Sequence, residues 1–183
     1  MVRMTRIRTV ILTKRSDGRI SKTHTIMEIN QPAAKFQDMS IAPMHTVEHI
    51  LNQTMVRLFG CERSRNAHIE RKKSKCDYTL LCAPSDEEIA AIEQQVNDVI
   101  GQCLPVTIEF VSRDNVPTGV DLSKLPADAS DTLRIVRVGD YDICACIGTH
   151  VENTAEIGRF KIISHSFESG TLRLRFKLEQ QQQ

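Results

Sequence analysis

Tryptophan is absent from this 183-residue sequence, and aromatic residues amount to 4% of it. A core must therefore be built from aliphatic side chains. Long apolar runs are missing too: nothing approaches the ~18 consecutive residues of a membrane-spanning helix. The first twenty residues set Arg3, Arg6, Arg8, Lys14, Arg15 and Arg19 among apolar neighbours, unlike the unbroken apolar segment of a secretory leader. Hydrophobic residues at 40% and charged residues at 26% exclude a disordered chain. These absences lead to the expectation of a cytoplasmic protein, away from membranes, folded as one domain able to bury a core unaided.

Net charge is also nearly absent, at +1, but the balance is uneven along the chain. Residues 1–80 hold 15 Lys and Arg against 7 Asp and Glu, an excess of +8; residues 81–183 hold 9 against 16, which is −7. A basic end of this kind suits a polyanionic partner, and equally a chance split of surface charge. Without an export signal the six cysteines are expected to be reduced, most of them as small buried hydrophobes.

Thr5–Lys14 alternates, breaks at Ser16-Asp17-Gly18 and resumes from Arg19 to Ile29, the signature of a β-hairpin. Residues 30–43, with two prolines, read as a connection. Val47, Ile50, Leu51, Met55, Leu58 and Phe59 then recur at helical spacing up to Gly60. Two β-like stretches flank the basic run Arg71-Lys72-Lys73-Ser74-Lys75. Ser85 and Glu88 form a capping box for a second helix, whose buried stripe is Ile89, Ile92, Val96, Val99 and Ile100, with Gly101 as its stop. Strands are expected at Val106–Val111, Leu133–Val138, Tyr141–Cys146, Phe160–Ser166 and Thr171–Leu178, with 112–131 mostly loop and a frayed tail at 180–183. The expected fold is α+β: two layers, a predominantly antiparallel sheet and two main helices. Residues 1–44 would be a hairpin extension and connection packed on a main domain of residues 45–179.

The chemistry concentrates in two pairs. His45 and His49 are one helical turn apart, so both imidazoles leave the same face. Cys146 and His150 are again four apart, where a strand meets a glycine turn. Three histidines and a thiolate form a donor set that suits zinc and disfavours magnesium or calcium. Glu48 lies about 60° round the helix from His45, placed either as general base for a metal-bound water or to orient a histidine. Cys144 shares a strand face with Cys146 and is expected to be a packing thiol rather than a fifth donor. His24, His68 and His165 lack partner spacing and read as ordinary polar positions.

His45–Leu51 (HTVEHIL) with Cys146–Gly158 (CIGTHVENTAEIG) resembles the paired signature of the editing domain of alanyl- and threonyl-tRNA synthetases. The resemblance runs from about His45 to Leu178 and is that of the short, free-standing alanyl-tRNA editing proteins. It implies zinc-dependent hydrolysis of mischarged tRNA(Ala), carrying serine and to a lesser degree glycine, with tRNA as partner. It further implies phosphate contacts from Arg63, Arg65, Arg71, Lys72, Lys73 and Lys75, and contact with the serine hydroxyl from Thr46 or Thr149. Two features depart from the family: residues 1–44 lack the glycine-rich segment of longer members, and Glu48 is not a general family residue. H-x-x-E-H is also the inverted zinc-peptidase motif, and a His-Thr-x-Glu-His helix followed by a later Cys resembles S-ribosylhomocysteine lyase. Thr149–Gly158 argues against that lyase. A tRNA-binding module with a structural zinc is the remaining alternative.

Overall fold

The computed structural model describes residues 5–14, 20–29, 38–120, 122 and 131–179. Ser16-Asp17-Gly18, the connection over 30–37, residues 121 and 123–130 of the central loop and the 180–183 tail lie outside the described residues. β1 (Thr5–Lys14) pairs antiparallel with β2 (Ile20–Ile29), from Thr5 opposite Ile29 to Lys14 opposite Ile20.

Helix α1 runs over Ala42–Phe59, starting five residues ahead of Val47, where its apolar spacing begins. Pro43 lies inside its first turn rather than before it, since the N–H that proline lacks has no partner there in any helix. A short 3-10 turn, Met39–Ile41, leads in, capped by Asp38 accepting from the Ser40 N–H at 2.8 Å. Gly60, at φ 62°, closes α1 with its N–H on the Val56 carbonyl. Helix α2 covers Asp86–Gly101 and carries the expected capping box: the Glu88 N–H donates to Ser85 Oγ, and the Ser85 N–H to Glu88 Oε2. Gly101 is the last helical residue rather than the stop; the left-handed position falls two residues on, at Cys103 (φ 53°).

The remaining strands form two antiparallel sheets. One contains β3 (Asn66–His68), β4 (Ser74–Thr79), β8 (Arg159–Glu168) and β9 (Thr171–Glu179), in the order β3-β4-β9-β8. The other contains β5 (Val106–Ser112), β6 (Thr132–Val138) and β7 (Asp142–Ala145) in chain order. The fold is thus α+β as the sequence indicates, with its strands divided among sheets rather than joined in one. One hydrophobic cluster joins α1, α2 and the sheets: Val47, Ile50, Leu51 and Met55 of α1, the α2 stripe, Leu172, Leu174 and Phe176 of β9, and Val136 and Val138 of β6. Phe160 and Phe176 meet within it at 5.2 Å.

Two contacts of α2 matter beyond the core. Asn97 exchanges both hydrogen bonds with the Phe160 backbone on the outer side of β8, donating to its carbonyl and accepting from its N–H at 2.9 Å each. Glu93 accepts from the Ile162 N–H at 2.8 Å, just before a bulge between Ile162 and Ser164. The segment after β7 is tied to the α2–β5 connection: Leu104 N–H donates to Thr154 Oγ1, Thr154 Oγ1 donates to the Ile100 carbonyl, and Asn153 donates to the Cys103 carbonyl. Asn153 and Glu156 form their own capping box around a 3-10 turn, Thr154–Glu156. Much of the Val151–Glu156 signature therefore serves to pin the loop that begins at Cys146.

Candidate metal centre

His45 and His49 project from the first turns of α1, and Cys146 and His150 from the loop that leaves β7. One donor atom from each of these four residues lies within 4.8 Å of the others. Tetrahedral zinc with bonds of about 2.0–2.3 Å would set its donors roughly 3.3–3.8 Å apart, and Cys146 Sγ to His45 Nε2 is already 3.5 Å. The His150 ring stands 4.6 Å from both other rings, stacked on His45 and edge-on to His49. Two imidazole nitrogens here, His45 Nδ1 and His150 Nε2, are buried without a hydrogen-bond partner. Orphaned nitrogens of that kind are costly, and coordination to an ion is what His150 Nε2 accommodates. The residues fit a metal.

The electrostatics agree. Burial opposes ionisation of the Cys146 thiol, but the neighbouring His150, His45 and His49 rings outweigh it and hold the group well below the ordinary thiol range. Burial pushes His150 down to about 4, against the pull of Cys146, so its ring is neutral. For His49, burial is overcome by Asp142 and Cys146, and its pKa stands well above the usual imidazole value.

Around this set lies a ring of partners that periodicity does not reveal. Asp142, whose side chain is 0% exposed, accepts from His49 Nδ1 at 3.1 Å and from both terminal nitrogens of Arg63. Although burial works against it, His49 and Arg63 hold the Asp142 carboxyl below its normal range. Asn52 donates to Glu48 Oε1 at 2.7 Å, while its own Oδ1 accepts from the Ser64 N–H and the Tyr78 hydroxyl. Those two donors fix the orientation of the amide. Glu48 Oε2 is left 3.8 Å from His45 Nε2. Gly148 lies flat against His45: a Cβ there would fall 1.7 Å from the ring Cε1. The sequence does carry a signal for these residues in retrospect: Asn52 is one turn after Glu48, and Asp142 is a lone acid in an otherwise apolar strand.

Other expected positions distribute differently. Thr46 is fully buried, its hydroxyl 2.8 Å from the Ala42 carbonyl and 3.2 Å from both the Val151 N–H and His150 Nδ1. Its hydroxyl is thus committed to partners inside the protein. Thr149 Oγ1 donates to the Asp38 carbonyl at 3.0 Å. Arg63 leaves the expected basic surface, its guanidinium 12% exposed and bound to Asp142. Lys75 is half-buried in β4, and Arg65 pairs with Glu62 at 2.7 Å, whereas Arg71, Lys72 and Lys73 are exposed. Cys144 is not among the four donors; burial pushes its thiol up. His68 pairs with Glu70, and His165 approaches Asp86, both outside the site.

Residues 133–174, from β6 through Cys146 and His150 into β9, match the family described as the threonyl and alanyl tRNA synthetase second additional domain. The chain is similar over that stretch to this domain, and over most of its own length to part of alanine–tRNA ligases. Among its curated relatives, the alanine–tRNA ligase of Fervidobacterium nodosum is 35% identical over 130 residues, covering 70% of this chain and 15% of the relative. That of Caldicellulosiruptor saccharolyticus is 31% identical over 159 residues, 81% of this chain and 17% of the relative. That of Streptococcus pneumoniae is 32% identical over 163 residues, 82% and 19%. The chain thus spans less than a fifth of the length of these relatives. The matched stretch includes Thr149–Gly158, the segment that sets this sequence apart from the lyase. No helix among the described residues is long and apolar enough to cross a membrane.

Proposed function

We propose that this chain is an aminoacyl-tRNA deacylase acting in trans: a zinc-dependent, ATP-independent hydrolase that removes serine, and more slowly glycine, from mischarged tRNA(Ala). The observation that carries the reading is the convergence of His45, His49, Cys146 and His150 in a chain similar to synthetase editing domains. Zinc held by those four side chains would polarise the ester carbonyl or lower the pKa of a water towards about 7. Glu48 takes the role of general base: Asn52 occupies Oε1, leaving Oε2 on the His45 side to accept a proton. Thr149, at the edge of the site, is the threonine left to meet the serine hydroxyl. A site built around that hydroxyl rejects alanine strongly, because alanine leaves its polar groups unpaired.

The acceptor end approaches past the β3–β4 turn. Arg71 is close enough to Asp38 to help lower its carboxyl, after the Ser40 hydrogen bonds, and the Asp38 carbonyl holds Thr149. In this reading Arg71, with Lys72 and Lys73 beside it in the chain, meets the phosphates of the acceptor end. Reversing all three to Glu is expected to weaken tRNA binding at least about tenfold and to flatten its salt dependence by up to about three in log–log slope; unchanged binding would move the contact surface elsewhere. Residues 1–44 pack on the main domain in this reading, so proteolysis near residues 30–43 should not release two stable pieces.

The deciding experiment incubates the purified chain with Ser-, Gly-, Ala- and Thr-charged tRNAs and follows ester loss. Ser-tRNA(Ala) should be cleared fastest and Ala-tRNA(Ala) spared; faster loss from Thr- or Ala-tRNA overturns the specificity. Four side-chain donors also suit a closed structural zinc site, and that second reading requires tRNA affinity without turnover. Gly148→Ala probes the site itself: the added methyl cannot coexist with the His45 ring. Deacylation should fall about 100-fold for a displacement on the ångström scale, with the fold retained by circular dichroism.

A further inference from the structure

An imidazole can donate to a metal only from the nitrogen that carries no proton, so the partner of its other nitrogen decides how it serves. Asp142 as a carboxylate only accepts; His49, 3.1 Å away, must therefore donate from Nδ1 and turn Nε2 to the cluster. The Thr46 hydroxyl has one proton, and the Ala42 carbonyl at 2.8 Å takes it. The hydroxyl oxygen then accepts from the Val151 N–H and from His150 Nδ1, both at 3.2 Å. His150 is fixed as its Nδ1–H form, with Nε2 buried and unpartnered. His45 has no equivalent support. Its Nδ1 lacks a partner and lies against Gly148, and its Nε2 stands between Cys146 Sγ at 3.5 Å and Glu48 Oε2 at 3.8 Å.

We infer that Thr46, and Asp142 braced by Arg63, are positioning residues that fix His150 and His49 as permanent metal donors, leaving His45 as the donor that yields. The inference rests on the proposed metal site and deepens it. A shell of four permanent protein donors has no room for a reactant; a set of three fixed donors and one exchangeable donor provides a position beside Glu48 without any further residue.

The test measures zinc affinity by chelator competition and records ¹⁵N-histidine spectra of the zinc-loaded protein. Thr46→Val is close to isosteric and should cost about 10–100-fold in zinc affinity, with the His150 Nδ1–H resonance shifted from its wild-type position. Thr46→Ser, which keeps the hydroxyl, should restore both. His45→Ala should still bind one zinc and lose about tenfold less affinity than His49→Ala or His150→Ala. A wild-type protein that binds zinc, with Thr46→Val binding it equally well or His45→Ala losing as much as His49→Ala, overturns the inference alone. A wild-type protein that binds no zinc overturns the metal reading, and the inference with it.

Discussion

Asp142→Ala is expected to destabilise the zinc-free protein by about 3–5 kcal/mol, the cost of removing one partner from a buried ion pair. The melting temperature should drop by roughly 6–20 °C on the scale for domains of this size. Asp142 satisfies three donors at once, His49 Nδ1 and two guanidinium nitrogens of Arg63, from a side chain with no exposure. Its loss strands a positive charge in the interior beside a histidine that has lost its acceptor. Replacing both partners with apolar residues, Asp142→Leu with Arg63→Met, should recover most of the stability, because no uncompensated charge remains. Chemical or thermal denaturation of the two variants in the presence of a chelator checks this. Equal loss in the single and double variants would mean that packing, not charge, holds the region.

Cys146→Ala should abolish stoichiometric zinc and lower kcat/KM for Ser-tRNA(Ala) by about 10³-fold, the equivalent of several kcal/mol of transition-state stabilisation. Cys146 is the one donor in the set that ionises to an anion, and three imidazoles favour that ionisation against burial. Without it, His45, His49 and His150 face one another with no anionic donor among the four. Elemental analysis of protein purified without chelator, beside single-turnover deacylation, reads both effects. Full zinc content in the variant would remove Cys146 from the ligand set.

The sequence makes some parts of this molecule legible and hides others for a physical reason. Helical spacing identifies α1 and α2, and period-two alternation locates the strands, because each element writes its buried face into its own residues. Asp-Gly marks the first hairpin, and β1 and β2 pair in register around it. The two i,i+4 pairs announce themselves because each is local, although only the fold places Cys146 beside His45, 101 positions away. What stays hidden is long-range and polar. Arg63 looks like one more surface cation until Asp142, 79 residues later, draws it inward. Thr46 looks free until Val151 and His150 fold onto it. Gly148 reads as a turn glycine, whereas its role is to leave room for a ring from another element. The start of α1 is missed for a local reason: Pro43 reads as a break, while the first helical turn tolerates it.

The bond between Asn97 and the Phe160 backbone has a consequence away from the centre altogether. β8 is the last strand of its sheet, and an unguarded terminal strand is a template for pairing with another molecule. Asn97 offers a donor and an acceptor in the place where an intruding strand would offer its own, and Glu93 claims the next outward N–H at Ile162. Immediately beyond, the bulge at Ile162/Ser164 throws the strand out of register. The helix that covers the core thus also occupies the first part of this edge, filling the backbone positions that a neighbouring strand would need.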